Sequence, residues 1–172
     1  MPLTVTPSQT VGPFFSIGLH PVELALDPGG EQLAIQGRVL DGDHNPVGDA
    51  LIETWQAGPD GQYSQNSSRG WSRLATDDSG SFRFSTFKPG RVRAGNQLYA
   101  PHIVVAVFAR GLLRHLVTRI YFPDEPSNAD DPILNLVPEP RRATLIARAV
   151  APRLFQWNIV LQGREETVFF EC

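Results

Sequence analysis

Apolar and polar residues alternate with a period of two along two stretches of the chain. In residues 32–39 every second residue from Leu33 onward is apolar or glycine, and in residues 155–162 the apolar positions run from Phe155 to Leu161. This period is typical of a β-strand with one buried face and one solvent-facing face. We therefore predict a strand over each stretch.

Turn-forming residues separate these strands from other apolar stretches. Residues 50–56 follow the Asp-, Gly- and Asn-containing segment 41–46, and Phe82 and Phe84 follow the segment 77–80. We predict a turn at each segment and a β-hairpin at the second, because its glycine tolerates the positive φ that a tight reversal requires. The chain thus reads as many short strands joined by turns.

The most apolar segment, residues 102–109, is rich in Val and Ile and has no polar alternation. This composition is typical of a central strand that is covered on both faces. No stretch keeps a helical apolar stripe for three turns, although residues 139–149 can be read as one short helix. The predicted fold class is therefore all-β, an antiparallel β-sandwich.

The N-terminal segment differs from the rest of the chain because it carries five prolines within residues 1–30. Proline interrupts regular helices and sheets, so we predict an extended arm over residues 1–30 and a β-sandwich domain over residues 31–172. Phe14 and Phe15 in the arm would be exposed in an isolated chain. Such apolar patches often mark an interface with a partner.

Charge and cysteine content exclude several classes of protein. A length of 172 residues is typical of one domain, and 15 basic against 18 acidic residues, with no basic run, disfavour a nucleic-acid partner. The single cysteine, Cys172, cannot form a disulfide within the chain, which favours a cytoplasmic location. No apolar run approaches the roughly 20 residues that span a bilayer, so we expect no membrane association.

A set of sequence motifs runs along almost the whole chain. These motifs are residues 37–39, 50–57, 61–63, 76–84, 88–90 and 101–103. Together they resemble the intradiol ring-cleavage dioxygenases. The resemblance implies a sandwich of transthyretin-like topology and the O₂-dependent cleavage of a dihydroxylated aromatic ring at Fe³⁺. The segments 8–15 and 163–170 are similar to the α chain of family members that are built from two kinds of chain.

The resemblance also implies that two tyrosines and two histidines hold the iron in the catalytic chains, where phenolates stabilise Fe³⁺ and leave it a Lewis acid. Tyr63 stands at the first tyrosine position and His102 at the first histidine position, but the other two positions are Val92 and Val104. Valine cannot coordinate a metal. We therefore expect Tyr63 and His102 to be vestigial ligand positions, this chain to hold no metal, and the iron to belong to a partner β chain.

Other interpretations of these residues stay open at this point. Tyr63 and His102 can equally be ordinary, partly buried polar residues. Tyr99 offers a substitute phenolate for a self-sufficient dioxygenase with an altered ligand set, although the second histidine would still be missing. A non-enzymatic β-sandwich binding module is a further alternative, because a fold does not determine a function.

Five residues are candidates for contact with the substrate in the partner's site, and no catalytic group is expected within this chain alone. They are Thr10, Gly12, Pro13, Phe14 and Arg110. Gly12 and Pro13 would let the backbone approach a flat aromatic ring, and Thr10 adds a hydroxyl group. The Arg110 guanidinium would orient the carboxylate of a dihydroxybenzoate. Without the resemblance, the arm would simply pack at an interface and Arg110 would pair with a carboxylate.

The remaining polar residues carry weaker signals. His20, His44 and His115 lie far apart without the spacing of metal ligands, so each is interpreted as a surface or turn residue. Glu53 lies within a predicted strand. We expect it to form a buried hydrogen bond or ion pair.

Overall fold

The computed structural model describes residues 5–12, 14–19, 21–24, 32–64 and 69–171. In these ranges the strands are β1 Gln32–Leu40, β2 Leu51–Gln56, β3 Trp71–Ala75, β4 Ser81–Phe87, β5 Val92–Ala94, β6 Gln97–Tyr99, β7 His102–Phe108, β8 Leu116–Tyr121, β9 Arg148–Ala151, β10 Leu154–Gln156 and β11 Ile159–Val160. The helical elements are short: α1 Glu139–Arg142 and 3₁₀ turns at Phe15–Gly18, Pro126–Asp130, Leu134–Leu136 and Ala143–Leu145.

Two sheets form the sandwich. The first has the strand order β3-β2-β7-β8, and all of its pairs are antiparallel. In the second, β1 lies antiparallel to β4 and parallel to β10 and β11, and β9 continues the sheet beside β10. A small β5–β6 hairpin lies outside both sheets. The predicted all-β sandwich is thus confirmed, and the parallel pairs of β1 add a feature that antiparallel hairpins alone would not produce.

The hydrophobic core lies between the two sheets. Ile35 and Val39 of β1 face Ile52 of β2 and Ile103 and Val105 of β7, and all five side chains are buried. Burying one such side chain stabilises the fold by about 1.5–3 kcal/mol. Because these residues fill one face of the first sheet, alternate residues of β2, β7 and β8 project from its outer face.

One predicted strand is interrupted. Residues 155–162 form β10 and β11 with a break between them, although the Trp157 amide still donates to the Gln36 carbonyl. A Cβ atom on Gly37 would lie 1.7 Å from the Trp157 carbonyl oxygen, so the two backbones approach very closely there. The Arg38 amide donates to the side chain of Asn158 at 3.1 Å, which replaces a backbone ladder bond.

The predicted hairpin at residues 77–80 is wrong. The turn exists, with Gly80 at φ +70° and the Asp77 carboxylate accepting from the amides of Ser79 and Ser81. However, β3 pairs with β2 and β4 pairs with β1, so this turn carries the chain from one sheet to the other. The predicted helix over residues 139–149 is also too long: helical structure ends by Leu145, and β9 follows.

The described part of the N-terminal arm lies along the sandwich surface. Val22 and Arg73 exchange two backbone hydrogen bonds of 2.8 Å beside β3, and Leu24 is buried. Residues 5–10 are exposed. None of the described helices has the length and apolar character needed to cross a membrane.

Candidate functional site

Thr10, Asp49, Arg110 and Gly111 form a polar group that we call the arm cluster, located where β7 ends. The Gly111 amide donates a hydrogen bond of 2.8 Å to Thr10 Oγ1, and Arg110 Nε forms an ion pair with Asp49 Oδ2. Ala109, directly before Arg110, is buried and fixes the backbone. Two of the candidate substrate residues, Thr10 and Arg110, therefore lie next to each other although they are 100 positions apart in the sequence.

Gly12 and Phe14 project away from the sandwich. A Cβ atom on Gly12 would have no atom within 4 Å in the described part of the chain, so none of the described residues requires glycine at this position. Phe14 is 74% exposed. Pro13, the remaining candidate of the arm, lies outside the described residues.

Asp49 was not a candidate from sequence, because it lies in a turn before β2 without any motif around it. Its side chain is largely buried, whereas that of Arg110 is more than half exposed. An ion pair this exposed contributes about 0–1 kcal/mol to stability. The ion pair has a larger effect on the orientation of Arg110. Nε is part of the planar guanidinium, so its contact with Asp49 fixes the orientation of the whole group. In the isolated chain, Arg110 therefore pairs with a carboxylate, as we expected for this residue in the absence of any resemblance.

Two of the four positions that the resemblance assigns to iron ligands, His102 and Val104, lie on the outer face of the first sheet, whereas Tyr63 follows β2 and Val92 lies in the β5–β6 hairpin. Across β7 and β8, His102 is paired with Tyr121 and Val104 with Arg119. On the other side of Val104 lies Trp55 of β2. We call the region formed by Tyr63, His102, Val104 and Arg119, with the aromatic rings beside them, the vestigial site.

His102 is a buried, neutral imidazole. Its Nδ1 lies 2.7 Å from the Ala100 carbonyl oxygen, which only accepts, so Nδ1 carries the proton and Nε2 the lone pair. The pKa of His102 is lowered to about 4. Burial is the largest cause of this shift, and the positive charge of Arg119 is the second. The hydrogen bond to Ala100 and the charge of Asp131 oppose this shift without reversing it.

The two nearby tyrosines are held in different ways. Tyr63 stacks on Trp55 with a ring centroid distance of 6.3 Å, and burial raises its pKa while the Arg119 charge opposes this. Tyr99 lies opposite Val92 in the β5–β6 hairpin, and its hydroxyl donates to Gln97 Oε1 at 2.5 Å. Tyr63 is therefore a neutral phenol, and the hydroxyl of Tyr99 is engaged by its own hairpin.

The residues of the vestigial site do not fit a ferric ion. Val92 is buried and Val104 half-buried at two of the four ligand positions, and neither can donate an electron pair to a metal. Arg119, which the sequence reasoning missed, lies directly opposite Val104, and its positive charge reaches Tyr63 and His102. A fixed cation repels a metal cation in the same space. The signal that could have found Arg119 is its strand pairing, which the sequence alone does not give.

The weaker signals have clear outcomes. Glu53 forms the expected ion pair: Arg73 Nε donates to its carboxylate at 2.8 Å and the terminal guanidinium nitrogen lies 2.7 Å away. His44 lies in the turn after β1 and faces Glu165 at 3.6 Å, and His115 stacks on Phe108 at the surface. His20 lies outside the described residues.

Comparison with known proteins decides the family. A family model described as "Dioxygenase" matches residues 20–163. The protocatechuate 3,4-dioxygenase alpha chain of Burkholderia cepacia is 40% identical over 98% of this chain and 98% of its own length. The chain belongs to the intradiol ring-cleavage dioxygenase family. The alpha chain of the same enzyme from Pseudomonas putida is 39% identical, with 98% of this chain and 97% of the relative covered.

Other dioxygenases extend the similarity. The protocatechuate 3,4-dioxygenase beta chain of Burkholderia cepacia is 35% identical over 82% of this chain and 68% of its own. Among solved structures, the dioxygenase domain of a carbohydrate-binding fusion protein from Streptomyces sp. SirexAA-E superposes with a TM-score of 0.67 at 29% identity, covering 92% of this chain and 98% of that domain. The family expected from the sequence motifs is thereby confirmed, and the chain is a subunit of a ring-cleaving dioxygenase.

Proposed function

We propose that the chain is the α subunit of a protocatechuate 3,4-dioxygenase and that it completes an active site whose Fe³⁺ is bound by the β subunit. The reaction is the intradiol cleavage of protocatechuate by O₂ to 3-carboxy-cis,cis-muconate, in which both oxygen atoms enter the product. The observation that carries this proposal is the similarity to two proteins named as alpha chains, which extends over nearly the full length of each.

The assignment of the iron to the partner rests on the vestigial site. Two of the four ligand positions that the resemblance assigns are Val92 and Val104, and Arg119 adds a positive charge beside Val104. A relative named as a beta chain shares the fold and supports a partner of the same family. The metal's chemistry, which is to bind and activate the catecholate toward O₂, is therefore supplied by the β subunit.

This chain's own residues act in substrate binding. Arg110 attracts the carboxylate of protocatechuate and orients it, since a guanidinium recognises a carboxylate through paired hydrogen bonds. Thr10 contributes a hydroxyl beside it, and the open space around Gly12 lets the backbone approach the substrate ring. The exposed ring of Phe14 provides an apolar surface for the contact with the β subunit and its pocket. Pro13 remains a candidate from the resemblance alone.

A self-sufficient dioxygenase that binds iron through Tyr63, Tyr99 and His102 is the second candidate. The position of Tyr99 opposite Val92 favours it, because this tyrosine lies on the strand next to the missing ligand. Against it stand the charge of Arg119 and the bond between Tyr99 and Gln97. A non-enzymatic binding module is set aside by membership of the enzyme family. A cytoplasmic location, suggested by the single cysteine, is part of the proposal.

Co-expression tests the proposal. We expect the chain to co-purify with its β chain, and the pair to consume protocatechuate and O₂ in equal amounts, with the β chain alone much less active. A β chain with full activity and an unchanged KM in the absence of this chain would contradict the proposed contribution to the active site.

A further inference from the structure

One nitrogen of the Arg119 guanidinium is unsatisfied within the vestigial site, although the same side chain also forms a hydrogen bond with the Tyr121 hydroxyl. Its Nη1 is buried and has no hydrogen-bond partner among the described residues, while its guanidinium carbon lies 5.6 Å from the centre of the Tyr99 ring. Leaving a buried donor unpaired costs about 1–3 kcal/mol, and more when the group is charged. Buried polar groups in proteins nearly always have a hydrogen-bond partner, which can be a bound ion or a water molecule.

The described acidic side chains near Arg119 are engaged elsewhere. Asp131 is fully buried and accepts hydrogen bonds from the Tyr121 hydroxyl at 3.0 Å and from the amides of Ala100 and Leu134, both at 2.8 Å. Glu53 projects from the same outer face and is paired with Arg73. None of the ion pairs found in the described ranges includes Arg119.

The other described groups that interact with Arg119 are neutral and mostly aromatic. Tyr63, Tyr99, His102 and Tyr121 come from four different segments of the chain, and the pKa values of the Tyr63 and Tyr121 hydroxyls are raised, so both carry no charge at neutral pH. Aromatic rings and a neutral imidazole do not cancel a positive charge. A low-dielectric environment strengthens the attraction of that charge for an anion.

We propose that the vestigial site binds one halide ion against Nη1 of Arg119. A fixed guanidinium has replaced the metal ion of the catalytic relatives as the positive charge of this region, so the ligand that it selects is an anion. The site does not require the β subunit or protocatechuate, and it stands independently of the proposed function.

Bromide is the probe, because it scatters X-rays anomalously and replaces chloride. Crystals of the full chain, alone or assembled with its β chain, are grown with bromide as the only halide, and anomalous maps are calculated at the bromine edge. We expect a bromide peak within hydrogen-bonding distance of Arg119 Nη1. A water molecule, or a carboxylate of a partner chain, at that position without an anomalous peak would overturn the proposal.

Variants supply the solution test. We expect the thermal midpoint of the wild type to rise with chloride compared with gluconate at equal ionic strength, because an anion that binds only the folded state stabilises it. Arg119→Gln should lose this difference, and Arg93→Gln, which removes an exposed arginine of β5, should keep it. An equal chloride effect in the wild type and Arg119→Gln would also refute the site. If Arg119→Gln does not fold, the bromide map of the wild type decides alone.

Discussion

Thr10 and Gly111 are joined by a hydrogen bond of 2.8 Å from the Gly111 amide to the Thr10 hydroxyl oxygen. This bond holds the N-terminal arm against the turn after β7, directly beside Arg110. Gly111 adopts φ +88°, a conformation that favours glycine, and this aims its amide at the arm. The position of the arm and that of Arg110 are therefore coupled.

The first prediction concerns this bond. Thr10→Val keeps the size of the side chain and removes the acceptor, so the arm loses a bond worth about 0.5–1.5 kcal/mol. We expect faster hydrogen exchange of the Gly111 amide and a KM for protocatechuate raised by about 2–10-fold in the assembled enzyme. Thr10→Ser retains the hydroxyl and should behave like the wild type. Unchanged exchange and KM in Thr10→Val would show that the bond has no role.

The second prediction concerns Arg110 itself. Arg110→Ala removes the guanidinium that we propose binds the substrate carboxylate, an interaction of about 1.5–3 kcal/mol, so we expect KM for protocatechuate to rise by at least about tenfold. The value for catechol, which has no carboxylate, should change little. Arg93→Ala, an exposed arginine outside the arm cluster, serves as the control. An unchanged KM for protocatechuate in Arg110→Ala would count against this role.

The third prediction separates the orientation of Arg110 from its charge. Asp49→Asn removes the charge partner of Arg110 Nε but leaves the guanidinium in place. We expect a smaller rise in KM than in Arg110→Ala, about 2–5-fold, because an exposed pair contributes about 0–1 kcal/mol. The double variant should be no worse than Arg110→Ala alone, since Asp49 acts through Arg110. Additive effects would mean that Asp49 acts by another route.

The fourth prediction follows from the buried His102. The pKa of His102 is about 4 in the folded chain, whereas a solvated histidine, as in the unfolded chain, has a pKa of 6.5. The folded state therefore disfavours protonation of this side chain. The stability contribution is fully present above pH 6.5 and is lost as the pH falls toward 4. The loss is at most about 3 kcal/mol. His102→Gln should flatten the unfolding free energy over this range, whereas the exposed His115→Gln should keep the wild-type profile; identical profiles in all three would contradict a neutral, buried His102.

The sequence predicted the positions of β1, β2, β4 and β7 and the region of β10 and β11, and alternation with a period of two located β1 and β10–β11 because it reports which side of a strand is buried. It did not indicate β3, β5, β6, β8 or β9. It could not predict which strands pair. The turn at residues 77–80 reads like a hairpin, but β3 and β4 belong to different sheets. The break at Trp157 likewise depends on the close approach of Gly37, a contact between residues 120 positions apart.

The sequence predicted some residues of the candidate site and missed others. Thr10 and Arg110 follow from motif similarity, and the structure places them together. Asp49 and Arg119 carry no motif, and their importance depends on strand pairing and turn geometry. Arg119 becomes visible as a candidate only when β8 is aligned beside Val104. Residues that act through a neighbour in space are thus the ones that the sequence conceals.

The most direct test of an iron-free chain that completes a partner's site is to measure iron content, visible absorption and protocatechuate turnover of the purified chain alone and after assembly with its β chain. We expect the lone chain to be colourless, to contain no stoichiometric iron and to be inactive. The assembled pair should contain iron in proportion to the β chain and should show the visible absorption of tyrosinate bound to Fe³⁺. Stoichiometric iron together with O₂-dependent ring opening by the isolated chain would contradict this.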